Sequence, residues 1–257
     1  RDTRTPRTAV PVTPMPLKPS EDGVVVIWLS HRTAPIEMRE RLAISPNSVP
    51  ASLQRIASLP SIREAVLLST CNRVEIYASS GSPDAVADLT RLLAEVGGND
   101  VVPHLAAASG TQAVTHLFRV ASSLDSLVVG EPQILGQLKQ AIRAAYEAGT
   151  LGRRLGGVMR GALTVAKRVR TETSIGTGQV SVPSVAVDLA RRIFEDLAGQ
   201  TALLVGAGEM AESAAKLLAR AGAELLVVNR SPERATKLAA EVGGRPLPWD
   251  QLDASLI

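Results

Sequence analysis

Residues 67–78, LLSTCNRVEIYA, hold the one cysteine of the chain, Cys71, between Thr70 and Asn72-Arg73 at the end of an apolar run. Free cysteines are mostly buried, so an inert core thiol is the starting point. The neighbours favour another use. Thr, Asn, Arg and Glu surround Cys71 where a strand ends, which sets the thiol at a polar edge. A thiolate there is a nucleophile, and Arg73 can either stabilise it or hold an anionic substrate. Of the three histidines, His31 closes the first strand and His104 falls in a loop. His116 lies on a helix whose apolar stripe is Val114, Leu117, Phe118 and Ala121. At 3.6 residues per turn it points away from that stripe, toward solvent or a cleft. No close Cys/His spacing suggests a metal.

A second chemical motif lies in TALLVGAGEMAESAAKLLARAGAELLVVNRS, which reads as strand, glycine turn, helix and strand. Gly206, Gly208 and Ala211 fit G-x-G-x-x-A immediately after the strand. Gly206 suits the tight turn, Gly208 the approach of a pyrophosphate, and Ala211 close packing of helix on strand. Asn229-Arg230 ends the second strand where NAD-binding proteins carry an acid, and Arg can pair with a 2′-phosphate. NADP is therefore expected over NAD.

These residues must be positioned by an α+β region followed by a Rossmann-like one. Strands are expected at VVVIWLSH, REAVLLST and RVEIYAS, the last with alternating polarity. Helices are expected at PIEMRERLAI, VPASLQRIASL and DAVADLTRLLAEVGG, on one face of a small sheet. From Thr111, expected to cap QAVTHLFRVAS, the pattern turns helical through PQILGQLKQAIRAAYEAG. A further helix carries Val182, Val185, Ala186, Leu189, Ile193 and Phe194 on one stripe and marks the junction of the two domains. Residues 1–22 are expected to form a disordered tail, 23–180 a catalytic domain, and 181–257 a linker helix with a partial Rossmann-like NADP-binding domain.

With 257 residues, 45% hydrophobic and 2% aromatic, the chain can bury a sizeable aliphatic core. A single cysteine gives no intramolecular disulfide, and no apolar run is long enough for a membrane span. The net charge of +3 is accounted for by Arg1, Arg4, Arg7 and Lys18 against Asp2. Any nucleic acid must therefore meet local patches. Arg153, Arg154, Arg160, Lys167, Arg168 and Arg170 form one, either a solvated helix face or a phosphate-binding one.

The segments SHRTAPIEMRERL, LLSTCNRVEIY, THLFRVASSLDSLVVGEPQILGQLKQA, AKRVRTETSIGTGQVSVPSVAVDLA and LLVGAGEMAESAAKLLARAGAELLVVNRSPERA, in this order, resemble glutamyl-tRNA reductase. The resemblance runs from about Val24 to Ile257. It implies that Cys71 attacks the ester carbonyl of glutamyl-tRNA and that NADPH reduces the resulting thioester to glutamate-1-semialdehyde, a precursor of tetrapyrroles. It also implies a substrate pocket of Thr70, Cys71, Asn72, Arg73, Ser126, Glu131, Pro132, Gln133 and Gln137, with Arg73 on the glutamate carboxylate. His116 takes a proton-transfer or orienting role, and the cofactor loop falls on Gly206, Ala207, Gly208, Glu209, Met210 and Ala211. Glutamyl-tRNA is the implied partner, the cytoplasm the implied compartment, and a homodimer the implied state of the full-length family, of which this chain is expected to be an N-terminal portion. Alternatives are a truncated tRNA- or acyl-binding module without reductase activity, and an unrelated NADP-dependent dehydrogenase. Ser123 and Val74 depart from the family pattern, which has Gly and Thr there. The Gly matters if that position needs φ > 0.

Overall fold

The computed structural model describes residues 23–176 and 181–252. The expected tail and the expected boundary at residue 180 lie outside the described residues. The chain divides into two units, residues 23–126 with 133–169, and residues 127–132 with 170–252.

The first unit is built on a four-stranded antiparallel sheet. Strand β1 (Gly23–Ser30) leads through helices α1 (Ile36–Leu42) and α2 (Val49–Ala57) to β2 (Glu64–Ser69) and β3 (Arg73–Ser80). Helix α3 (Ala85–Gly97) then returns the chain to β4 (Ala106–Ser109). The strand order β2-β3-β1-β4 with this β-α-β-β-α-β succession is the split βαβ arrangement. Helices α4 (Gly110–Ala121), α5 (Gln133–Glu147) and most of α6 (Arg153–Glu172) complete the unit. Its core is aliphatic, running from Val26, Ile27 and Leu29 through Leu67 and Ile76 to Leu117, Leu138 and Met159.

Three local expectations are corrected here. Every residue of β3 is buried, so its alternation separates two interior faces and not an interior from solvent, and the sheet is covered on both sides. The polar set Arg73, Glu75, Tyr77 and Ser79 shares one of these faces because side chains alternate along a strand. Helix α4 starts at Gly110, whose φ of +55° turns the chain directly out of β4. Ser109 therefore holds the N-cap position, and Thr111 lies in the first turn. His116 is not opposite the buried face of α4. That face is Ala113, Leu117, Val120 and Ala121, and His116 lies at its edge. Alanine at 113 carries too little hydrophobic signal to show this in sequence.

The second unit holds α7 (Val182–Phe194), β5 (Thr201–Val205), α8 (Glu209–Arg220), β6 (Glu224–Val228), α9 (Pro232–Val242) and β7 (Arg245–Leu247). The strands are parallel in the order β5-β6-β7, one βαβαβ half of a doubly wound sheet. Its core joins Leu204, Ala215, Leu225, Val227, Ala235 and Leu238. Helix α7 starts in a reciprocal Ser181/Ser184 capping box. It buries Pro183 and Val187, while Val185, Leu189, Ile193 and Phe194 of the expected stripe are exposed. Among the described residues no helix is long and apolar enough to cross a membrane.

Candidate active site around Cys71

Cys71 sits in the tight turn between β2 and β3, and its side chain is exposed. The turn is fixed from within. The backbone N–H of Thr70 donates to Arg73 O at 2.8 Å, and Thr70 Oγ1 accepts from the N–H groups of Asn72 and Arg73, both at 3.2 Å. It is also fixed from the β1–α1 loop and from α1. His31 N–H donates to Asn72 O at 2.9 Å, and Arg39 Nη1 donates to Cys71 O at 2.8 Å and Asn72 Oδ1 at 3.2 Å. A thiol presented on so heavily braced a turn keeps its place while a reacting group approaches.

Beneath the turn lies a buried charged network. Arg73, 2% exposed, donates Nη1 to Glu75 Oε1 at 2.6 Å and to Asp125 Oδ2 at 3.3 Å, and Nη2 to the Asp125 carbonyl. Asp125 Oδ1 also pairs with Arg32 Nε at 3.2 Å. Glu75, fully buried, accepts from the Tyr77 hydroxyl and lies 3.2 Å from His116 Nε2. The His116 ring stacks on Trp28, centroids 4.0 Å apart, and Trp28 is the direct cross-strand partner of Glu75. Burial alone would raise the Glu75 pKa, but His116, Arg73 and Tyr77 outweigh it and hold the carboxyl at about 2. Burial opposes the charge on Arg73, yet Glu75 and Asp125 raise its pKa.

The loop that delivers Asp125 depends on one unusual residue. Ser123, buried, has φ of +59°. The position before Leu-Asp-Ser thus takes the left-handed conformation that glycine adopts without strain. Val74, the other departure, faces the core at 2% exposure.

Of the sequence-derived substrate residues, Thr70, Cys71, Asn72 and Arg73 form the turn itself, and Ser126, buried, follows Asp125. His116 joins them through Glu75. Gln133 and Gln137 lie half-buried, four residues apart, on α5. Glu131 and Pro132 fall in the segment grouped with the second unit, where Glu131 is buried and Pro132 exposed. Sequence reasoning gave no role to Arg39, Glu75, Asp125 or Trp28. The signal available was the polar alternation of RVEIYAS in an otherwise apolar strand, which marks a buried network when both faces are covered.

In the second unit, Gly206 takes φ of +112° and its N–H donates to Val228 O at 2.7 Å. Space is open beyond the Cα of both Gly206 and Gly208. Gly208 is the N-cap of α8 and supplies no side-chain bond to the helix, whose first turn holds Glu209, Met210 and Ala211. Ala207 and Ala211 pack on the core. Asn229 Nδ2 donates to Ser231 O at 3.1 Å, and the exposed Arg230 guanidinium lies 5.6 Å from the Trp249 ring.

Segments of both units match known protein families. Residues 27–173 match the family model described as Glutamyl-tRNAGlu reductase, N-terminal domain. The chain belongs to the glutamyl-tRNA reductase family. Residues 188–256 match a second model, Shikimate / quinate 5-dehydrogenase, which covers the βαβαβ unit. A glutamyl-tRNA reductase of Sorangium cellulosum is 57% identical over 91% of this chain and 48% of its own length. That of Syntrophotalea carbinolica is 50% identical over 88% of this chain and 52% of its own. The solved glutamyl-tRNA reductase from Methanopyrus kandleri is 39% identical with a TM-score of 0.59, covering 92% of this chain and 56% of that one. The chain spans about half the length of the curated relatives it matches. The α/β architecture expected from the sequence, an α+β region followed by the start of a nucleotide-binding domain, is the one found.

Proposed function

We propose that this chain is the catalytic and cofactor-binding portion of a glutamyl-tRNA reductase, which converts glutamyl-tRNA to glutamate-1-semialdehyde with NADPH in tetrapyrrole biosynthesis. The observation that carries this is the single exposed Cys71, presented on a turn braced by Thr70, His31 and Arg39.

Cys71 Sγ attacks the ester carbonyl of the glutamyl group. The bond from that carbonyl carbon to the ribose oxygen breaks, the tRNA hydroxyl takes the proton, and a thioester remains on Cys71. When bound, NADPH supplies the hydride that turns the thioester carbonyl into an aldehyde, and Cys71 departs as the leaving thiolate. Within the first unit, the residues proposed for the substrate are Thr70, Asn72, Arg73, Ser126, Gln133 and Gln137. A glutamate carboxylate reaches Arg73 by taking the place of Asp125, the longer of its two ion pairs. His116, fixed on Glu75 and Trp28, orients the site or moves a proton.

For the cofactor, the open space at Gly206 and Gly208 and the uncapped start of α8 fit a pyrophosphate. Arg230 provides a cation for a 2′-phosphate. On α6, Arg153, Arg160 and Lys167 recur every seven residues, away from the buried Leu155, Met159, Ala162 and Ala166. That exposed stripe suits the phosphates of tRNA.

The test is the intact mass of the chain after incubation with glutamyl-tRNA without NADPH. A glutamyl adduct is expected on the wild type and none on Cys71→Ser. Loss of tRNA charging without an adduct, or an adduct on Cys71→Ser, would remove Cys71 from the role. An adduct that NADPH fails to release would favour an acyl-binding module without reductase activity.

A further inference from the structure

Among the described residues, the buried side-chain polar atoms that find no hydrogen-bond partner are His31 Nδ1, Arg39 Nε and Ser126 Oγ. Each belongs to a segment around the Cys71 turn. His31 is bonded to the turn through its backbone, Arg39 through Nη1, and Ser126 follows the Asp125 that holds Arg73. A buried polar group left unpaired costs about 1–3 kcal/mol, and native proteins keep few of them. All three lie on segments hydrogen-bonded to the turn that carries the exposed thiol.

Ser126 already belongs to the proposed substrate pocket; His31 and Arg39 do not. We propose that His31 and Arg39 bind the acyl group delivered to Cys71, with Arg39 Nε–H donating to an oxygen of that group and His31 Nδ1 accepting from its α-ammonium. This rests on Cys71 being the residue that receives the glutamyl group. The donor types match an aminoacyl ester, in which an ammonium and a carbonyl oxygen sit on adjacent carbons. A guanidinium has donors only, so its remaining N–H needs an oxygen. A neutral imidazole can offer one ring nitrogen as an acceptor. Burial first, then Arg73, with Arg32 and Arg39 acting the same way and Asp125 opposing, depress the proton affinity of His31 and keep that lone pair free. The turn is already held by the His31 backbone and by Arg39 Nη1, so the His31 ring and Arg39 Nε are left over from the bracing.

The experiment follows alkylation of Cys71 by iodoacetamide, read by intact mass, with and without L-glutamate α-methyl ester. The ester is expected to protect wild-type Cys71, and the concentration for half-protection to rise about tenfold in His31→Ala and in Arg39→Lys, the loss of one hydrogen bond to a charged group. Monomethyl glutarate, the same ester without the amino group, is expected to protect wild type and His31→Ala equally. His31→Ala keeps the backbone N–H that bonds Asn72 O, and each half-protection concentration is read against that variant's own alkylation rate without ester. A half-protection concentration that rises for monomethyl glutarate as much as for the amino ester would make the ring a structural support and overturn the proposal. So would equal protection of wild type and both variants by the amino ester, or no protection of wild type. Protection of wild type that His31→Ala loses, together with failure of glutamyl-tRNA to acylate Cys71, would sink the nucleophile assignment and leave this subsite standing.

Discussion

Glu75 is the residue on which the interior of the site turns. It has no exposure to water, yet it stays ionised because Arg73, Tyr77 and His116 all meet its two oxygens. Removing one member of such a group leaves the others buried and uncompensated, so Glu75→Gln is expected to destabilise the first unit by about 3–5 kcal/mol in urea unfolding at neutral pH. The pH dependence has a definite sign. The folded carboxyl titrates at about 2 and an ordinary one at 4.5, so its stabilisation is complete above the higher value and lost as pH falls through the lower. The difference between wild type and Glu75→Gln should therefore shrink on acidification across that window; a gap that stays constant would mean that the carboxylate charge is not what matters. Ser123 makes a second residue-scale prediction. Its φ of +59° is closed to β-branched side chains, so Ser123→Val should cost about 2 kcal/mol or more, while Ser123→Gly should fold normally. Equal urea midpoints for the two variants would contradict this.

At the scale of elements, α6 shows how a helix with an unfavourable start is held. Arg153 and Arg154 open it, although cations oppose the helix dipole at an N-terminus. Glu64, at the start of β2, reverses this: its oxygens accept from the N–H groups of Arg154 at 3.2 Å and Leu155 at 2.7 Å. Gly152 leaves room for that carboxylate, since a Cβ there would come within 2.7 Å of it. A capping side chain supplied from another element has the same worth as a local one. Glu64→Ala should thus lower stability by about 1–2 kcal/mol, with amide exchange of the first turn of α6 rising more than that of α5. Uniform exchange throughout the unit would show that the bond does not cap the helix.

For the molecule as a whole, the proposed function divides between the two units, with the nucleophile on the first and the dinucleotide loop on the second. In that proposal cofactor choice belongs to this scale, because it is assigned to the turn after β6 and not to the thiol. Arg230→Ala is expected to weaken NADPH binding about tenfold or more and to leave NADH binding unchanged, read by nicotinamide fluorescence. A parallel loss for both nucleotides would instead assign Arg230 to holding Trp249 in place.

The sequence alone determined the parts whose signals are local. The strand at residues 23–30, the glycine loop after TALLV and the placement of Cys71 at a strand end are periodicity and turn chemistry, which a few neighbouring residues specify. The ordered motifs from SHRTAPIEMRERL to NRSPERA carried the family with them. Tertiary structure decided what those residues face. Alternation in RVEIYAS cannot distinguish solvent from a second interior layer, and packing on both sides of β3 turned Arg73, Glu75 and Tyr77 into a buried network. His116 sat opposite the apparent stripe of α4, but the helix rolled toward small Ala113 and placed the imidazole against Trp28 and Glu75. Arg39 and Asp125 reach the site across 32 and 52 positions of chain, to Cys71 and Arg73 respectively. Contacts at such separations are set by how the sheet and helices pack, because the free energy that fixes them comes from burying the whole core and not from any local preference.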